Sequence, residues 1–283
     1  MTTRINKLGE IESRRRAGPR DRAGLEHWLN AYRDSVGPAG DLCVSLLQDL
    51  YGLGALQGGV TGQAIELLET LEALSPDPIT ISSALVHVAG LDGTDLSGII
   101  DDLPAEVKRQ LDDLEKLKHY ESGQSLSGTE RSAEGLRRLL LALVKDVRVV
   151  LIDLAWQLVL LRGVTEADED ARNLARETML IHAPLANRLG IWQLKWELED
   201  LSFRYVEPKH YRKVANLVAE HRDEREAFIK RFLARLEKAL EDSDIPAEVK
   251  GRTKHIYSIW KKCSSKAWIS TSCSTCGRCA YWW

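Results

Sequence analysis

Val149-Val150-Leu151-Ile152-Asp153-Leu154-Ala155-Trp156-Gln157-Leu158-Val159-Leu160-Leu161 decides the architecture. The run is apolar at almost every position, so it carries neither a helical stripe nor strict alternation. It is longer than an ordinary strand and too short to span a bilayer. That leaves a helix surrounded on all sides at the centre of a bundle. Helical periods on either side supply the bundle. Leu25, Trp28, Leu29 and Tyr32 open a first helix, and Leu42, Leu46, Leu47, Leu50 and Leu53 mark a second. Ile65, Leu67, Leu68, Leu71 and Leu74 mark a third, stopped by Ser75-Pro76-Asp77-Pro78. Further helices are predicted around 79–89, 104–121, 132–146 and 148–162, then over 165–189, 192–205 and an amphipathic 209–241.

The totals suit this reading. The 283 residues are 44% hydrophobic and 29% charged, enough for one large or two modest domains. A net charge of −3 offers no broad basic surface for nucleic acid. The polar, Arg-rich stretch 1–22 reads as a solvated arm without the apolar core of a signal peptide, and no run could cross a membrane. A cytoplasmic protein is therefore expected. Cysteine usage is uneven, with Cys43 alone and Cys263, Cys273, Cys276 and Cys279 crowded at the end beside Trp268, Trp282 and Trp283.

The helical pattern changes after Asp242-Ser243-Asp244. Residues 245–251 read as a short strand, followed by Arg252-Thr253-Lys254 and a helix beginning near His255. A strand, a basic turn and a helix mark the opening of an α/β domain. On a helix, Lys254, Ser258 and Lys262 share a face, while Ile256, Ile259 and Trp260 point to a core. Gly251 permits a tight turn, and unpaired amides at the helix start would add anion affinity. This edge reads either as a polyphosphate grip or as an ordinary solvated basic face.

The wording is more specific than the spacing. Gly251-Arg252-Thr253-Lys254-His255-Ile256-Tyr257-Ser258-Ile259-Trp260-Lys261-Lys262 resembles the opening of the nucleotidyltransferase-like synthetase domain of the RelA/SpoT family, where this pattern binds ATP. Ala183-Pro184-Leu185-Ala186-Asn187-Arg188-Leu189-Gly190-Ile191, running into Leu194-Lys195-Trp196-Glu197-Leu198-Glu199-Asp200, is similar to the same family. The likeness covers roughly residues 25–262. It implies a mainly α protein with five parts: an arm at 1–22, an HD-type helical domain at 23–200, linker helices at 201–244, only the first strand and helix of the synthetase domain at 245–262, and an aberrant tail at 263–283. It also implies Arg252, Lys254, Ser258 and Lys262 as contacts to ATP.

In bifunctional relatives the HD domain binds Mn²⁺ through His and Asp residues and removes the 3′-diphosphate of the alarmone. Several ligands must converge on one ion for that chemistry. Leu85-Val86-His87-Val88 stands where the His-Asp pair belongs, so Val88 replaces a metal-binding Asp. The downstream acidic pair becomes Leu91-Asp92, an early ligand His falls near Val60, and Trp156 replaces a further Asp. His87 then reads as a core histidine, and neither Mn²⁺ binding nor hydrolysis is expected.

The tail admits two readings. Cys273-x-x-Cys276-x-x-Cys279 with Cys263 upstream has the spacing of zinc ligands, which would make a zinc-binding adaptor. Alternatively, a one-nucleotide shift before the Cys263 codon turns the tail into a phrase with an Asp-Val-Arg-Ala-Val-Arg core, much like the one after Lys-Met in the family. The frameshift is the expectation adopted, and it removes the Mg²⁺-binding carboxylate that the family needs to transfer diphosphate from ATP to GTP or GDP. The chain as written is then inactive and binds no cofactor of its own. Ribosome and uncharged tRNA would be partners of C-terminal domains absent here. A non-catalytic regulatory or interaction module is the alternative from another class.

Overall fold

The computed structural model describes residues 20–74, 76–123, 146–165, 168–220, 222–247, 249 and 254–264. Residues 1–19 of the arm expected at 1–22, residues 132–145 of the helix expected at 132–146, and residues 265–283 of the tail expected at 263–283 lie outside them. The chain divides into two compact units, Met1–Gly163 and Val164–Trp283. The division falls inside the segment 23–200.

The first unit is built from α1 (Arg22–Val36), α2 (Asp41–Gly52), α3 (Gly59–Glu72), α4 (Pro78–Ala89), α5 (Ser97–Asp102), α6 (Ala105–Gly123) and α7 (Val147–Gly163). Its centre is α4, which packs against α2, α3, α6 and α7. Local chemistry fixes where α4 starts: the Asp77 carboxylate accepts the Thr80 amide at 3.0 Å and Pro78 stands at the first turn, where its missing N–H costs nothing. Helix α7 is buried almost without a break from Val149 to Leu161, as its apolar run requires, while Val147 and Gly163 at its ends are exposed. Each fully buried aliphatic side chain there contributes about 2 kcal/mol.

One cation ties the starts of these helices together. Arg148 pairs with Asp77 at 3.0 Å, with Asp146 at 2.6 Å and with Glu106. Gln110 donates to Asp146 at 3.0 Å and accepts from the Ser83 hydroxyl at 2.7 Å, extending the network into the core. The hydrogen bonds from Arg148 hold Asp146 down to about 2.

The second unit contains α8 (Glu169–Glu177), α9 (Ala183–Arg188), α10 (Trp192–Val206), α11 (Pro208–Glu220), α12 (Arg222–Asp242) and α13 (Ile256–Ser264). Helices α8 and α9 join through a π-helical turn at Thr178–His182, where the Ala183 amide bonds to the Thr178 carbonyl. Pro184 explains it. A proline inside a helix lacks its N–H and collides with the preceding turn, and the widened π turn absorbs that misfit without ending the helix. Helix α10 packs on α8, α9, α11 and α13.

The expected single helix over 209–241 is two helices, α11 and α12. The expected strand over 245–251 is absent among its described residues: Ile245, Pro246, Ala247 and Val249 belong to no regular element, and no strand occurs among the described residues anywhere. A strand persists only with a ladder partner, and no described segment offers one. The mainly α class stands. No helix among the described residues is long and apolar enough to cross a membrane.

Candidate functional site

Two places carry the residues singled out from the sequence. In the first unit, His87 on α4 meets Trp156 on α7 edge to face, with ring centroids 5.9 Å apart at 79°. Val88 is fully buried and Trp156 is 8% exposed. The His87 Nε2 is enclosed and has no hydrogen-bond partner among the described residues. Burial, with a smaller push from the Lys118 charge, lowers its pKa to about 3. The imidazole is therefore neutral at physiological pH. Asp92 closes the short 3₁₀ turn Gly90–Asp92, and Val60 lies near the start of α3.

Manganese does not fit this arrangement. A hard divalent cation needs several oxygen or imidazole donors around one point. The positions beside His87 hold a valine and an indole instead. Among the described residues no group of three or more His, Cys, Asp or Glu side chains could hold a metal ion. The sequence reading did miss two polar residues in α7, since Asp153 and Gln157 are both buried beside Trp156. Their i, i+4 spacing, one helical turn apart in an otherwise apolar run, was the available signal.

A separate groove of about 750 Å³ runs between α2 and α5, lined by Leu42, Leu46, Asp49, Asp95, Asp102 and Leu103 among others. It contains none of the candidate site residues named from the sequence.

In the second unit, α13 presents the basic edge. Ile259 and Cys263 are buried with Val214, and Val218, Ile256 and Trp260 pack around them. The apolar side thus faces inward as its spacing predicted. Ser258 and Lys262, one turn apart, lie half-buried on α13; Lys254 is half-buried just before its first turn. Arg252 lies outside the described residues. Cys263 sits in this apolar cluster, and Cys273, Cys276 and Cys279 lie outside the described residues.

One expectation is corrected here. The first two amides of α13, those of Ile256 and Tyr257, are not open to an anion, because Asp200 of α10 already occupies them. Its Oδ1 accepts the Tyr257 N–H at 2.8 Å, and its Oδ2 accepts the Ile256 N–H at 3.4 Å. His255 Nδ1 approaches the same Oδ2 at 3.3 Å, and its ring stacks on Trp196 at 4.8 Å. Phe203 packs on Tyr257 and Trp260, with centroids 5.4 and 4.8 Å away. Neighbouring Glu199 has its pKa raised by burial, against the opposing pull of Lys195 at 3.7 Å. Because this cap comes from a helix more than fifty residues upstream, no local sequence signal announces it.

A helical bundle with a histidine at its centre defines the class, and the HD-domain family pattern matches residues 56–192. The chain belongs to the RelA/SpoT family within that class. It is 38% identical over 213 residues to the GTP pyrophosphokinase of Escherichia coli K12 and 42% identical over 211 residues to that of Photobacterium angustum. It is also 37% identical over 203 residues to a probable guanosine-3′,5′-bis(diphosphate) 3′-pyrophosphohydrolase of Synechocystis. The first two alignments cover 72% and 71% of this chain, and it spans about 28% of the length of each of those curated relatives.

Proposed function

We propose that this polypeptide is the N-terminal part of a (p)ppGpp synthetase of the stringent response, retained without hydrolase activity. Relatives with this HD region are named for both making and breaking the alarmone, so the site must choose between them. The observation that carries the choice is the pair Val88 and Trp156, both buried and with Trp156 edge-on to a neutral His87, where hydrolysis would need ligands and water. The bundle then serves as a scaffold.

On the synthetic side, Arg252, Lys254, Ser258 and Lys262 bind the ATP donor, with GTP or GDP as acceptor and Mg²⁺ as the family's cofactor. When bound, Mg²⁺ neutralises charge developing on the transferred diphosphate. The chain's own lysines orient the donor, and Ser258 adds a hydroxyl donor beside them. Residues 263–283 are read out of frame, and this replaces the carboxylate that would hold the metal. The 283-residue polypeptide therefore keeps part of an ATP grip and turns nothing over. It acts in the cytoplasm, and ribosome and uncharged tRNA are sensed through segments outside it.

Thin-layer assays with labelled substrates test both halves. The expected result is no transfer from ATP to GDP and no release of diphosphate from ppGpp with Mn²⁺, while a gene with one base restored before the Cys263 codon gains synthesis. Manganese-dependent hydrolysis by the unaltered chain would refute the reading. One observation favours a second role as an interaction module: Phe228, Phe232 and Leu236 form an exposed apolar stripe on α12, with Phe232 56% exposed.

A further inference from the structure

Helix α10 meets α13 through one stripe. Trp196, Asp200 and Phe203 stand at i, i+4 and i+7, the spacing that places side chains on one face. Each has a different task. Trp196 stacks on His255, Asp200 caps the helix, and Phe203 fills the angle between Tyr257 and Trp260. The Asp200 side chain is 20% exposed and that of His255 37% exposed, so the contact is partly shielded from water.

The charge of this cap matters as much as its geometry. A helix N-terminus free of side-chain partners attracts phosphate, because its unpaired amides point outward. Here a carboxylate has taken both the Ile256 and Tyr257 amides and leaves a negative charge beside them. A nucleotide polyphosphate approaching α13 meets repulsion at the amide end and attraction along the edge that carries Ser258 and Lys262.

We propose that Asp200 is a positioning residue for the donor nucleotide: by closing the start of α13 from α10, it sets the orientation of the helix and directs the polyphosphate to the Lys254, Ser258 and Lys262 edge instead of the amide end. This rests on the reading of that edge as the ATP contact. Asp200 touches no substrate. It acts through the helix it caps, and His255, held between Trp196 and the same carboxylate, fixes the turn that carries Lys254.

The test measures ATP binding by calorimetry and amide exchange by NMR on the full chain and on Asp200→Ala, Asp200→Asn and Lys262→Ala. Asparagine keeps an oxygen for the Tyr257 amide and removes the charge. The proposal expects Asp200→Ala and Lys262→Ala to weaken ATP about fivefold or more, with Asp200→Asn at least as tight as the unaltered chain. The Tyr257 amide exchanges slowly in the unaltered chain and in Asp200→Asn, and fast in Asp200→Ala. If Asp200→Ala loses its fold by circular dichroism, Asp200→Asn carries the decision alone.

Unchanged ATP affinity in a folded Asp200→Ala whose Tyr257 amide exchanges fast overturns the proposal. So does an Asp200→Asn variant that binds as poorly as the alanine form, or fast Tyr257 exchange in the unaltered chain. An inert Lys262→Ala refutes the ATP edge itself, with the exchange data still reporting on the cap. No ATP binding by the unaltered chain removes both.

Discussion

Replacing His87 with leucine should flatten the acid sensitivity of the first unit. His87 has its pKa lowered from 6.5 to about 3 by burial. Between those values the unfolded chain binds a proton that the folded chain refuses, so stability rises with pH through that window and falls as the solution is acidified. At pH 7 both states are neutral and the histidine has little effect. At pH 5 the difference amounts to about 2 kcal/mol, since one pH unit well inside the window corresponds to about 1.4 kcal/mol. His87→Leu removes that dependence and also removes the enclosed, unpartnered Nε2. Urea unfolding followed by circular dichroism at pH 7 and pH 5 gives the numbers. Every carboxylate is common to both proteins, so subtracting the two pH differences isolates the histidine. The variant should lose about 2 kcal/mol less than the parent between pH 7 and pH 5. Equal losses would mean that His87 is hydrated or paired in solution, and the account of a closed centre would fail.

Substitutions at three other sites probe the same structure. Arg148→Met strands Asp77, Glu106 and Asp146 together; because the cluster is only partly shielded, the cost should be about 2 kcal/mol by urea unfolding, and it should shrink in high salt. In the parent protein the Asp146 contribution is present above the ordinary carboxylate range and disappears as pH falls toward about 2, a loss the variant should not show. Phe232→Glu should change stability by less than about 0.5 kcal/mol while raising solubility in a precipitation assay, because its ring is already exposed. Cys263→Met should cost less than about 1.5 kcal/mol, whereas Cys263→Asp should lower the melting temperature by several degrees, since that slot is apolar.

The helical architecture was legible because hydrophobic period is a local property. The run from Val149 to Leu161 announced a buried helix, and Asp77-Pro78 announced where α4 begins. The inward side of α13 was readable from Ile256, Ile259 and Trp260 for the same reason. What escaped depends on distant partners. Strand formation at 245–251 requires a neighbour, and hydrophobic pattern alone cannot supply one. The Asp200 cap joins residues from two helices, so the amides of α13 looked open when read in isolation. The π turn also escaped: the stretch 165–189 read as one helix, and local pattern did not show that the backbone widens before Pro184.

The Arg148 cluster also bears on how long the folded state survives. Its carboxylates come from chain segments 71, 42 and 2 residues away, so all of its bonds form only once α4, α6 and α7 have come together. An interaction completed that late acts as a bolt on the finished unit. It slows opening and leaves the speed of assembly almost untouched. In rapid-mixing experiments the parent should therefore outlast Arg148→Met through its unfolding limb, with refolding limbs that overlay. A bolt of charge rather than of hydrocarbon loosens first in acid and brine, so unit 1 should come apart from the Asp77 end of its helices.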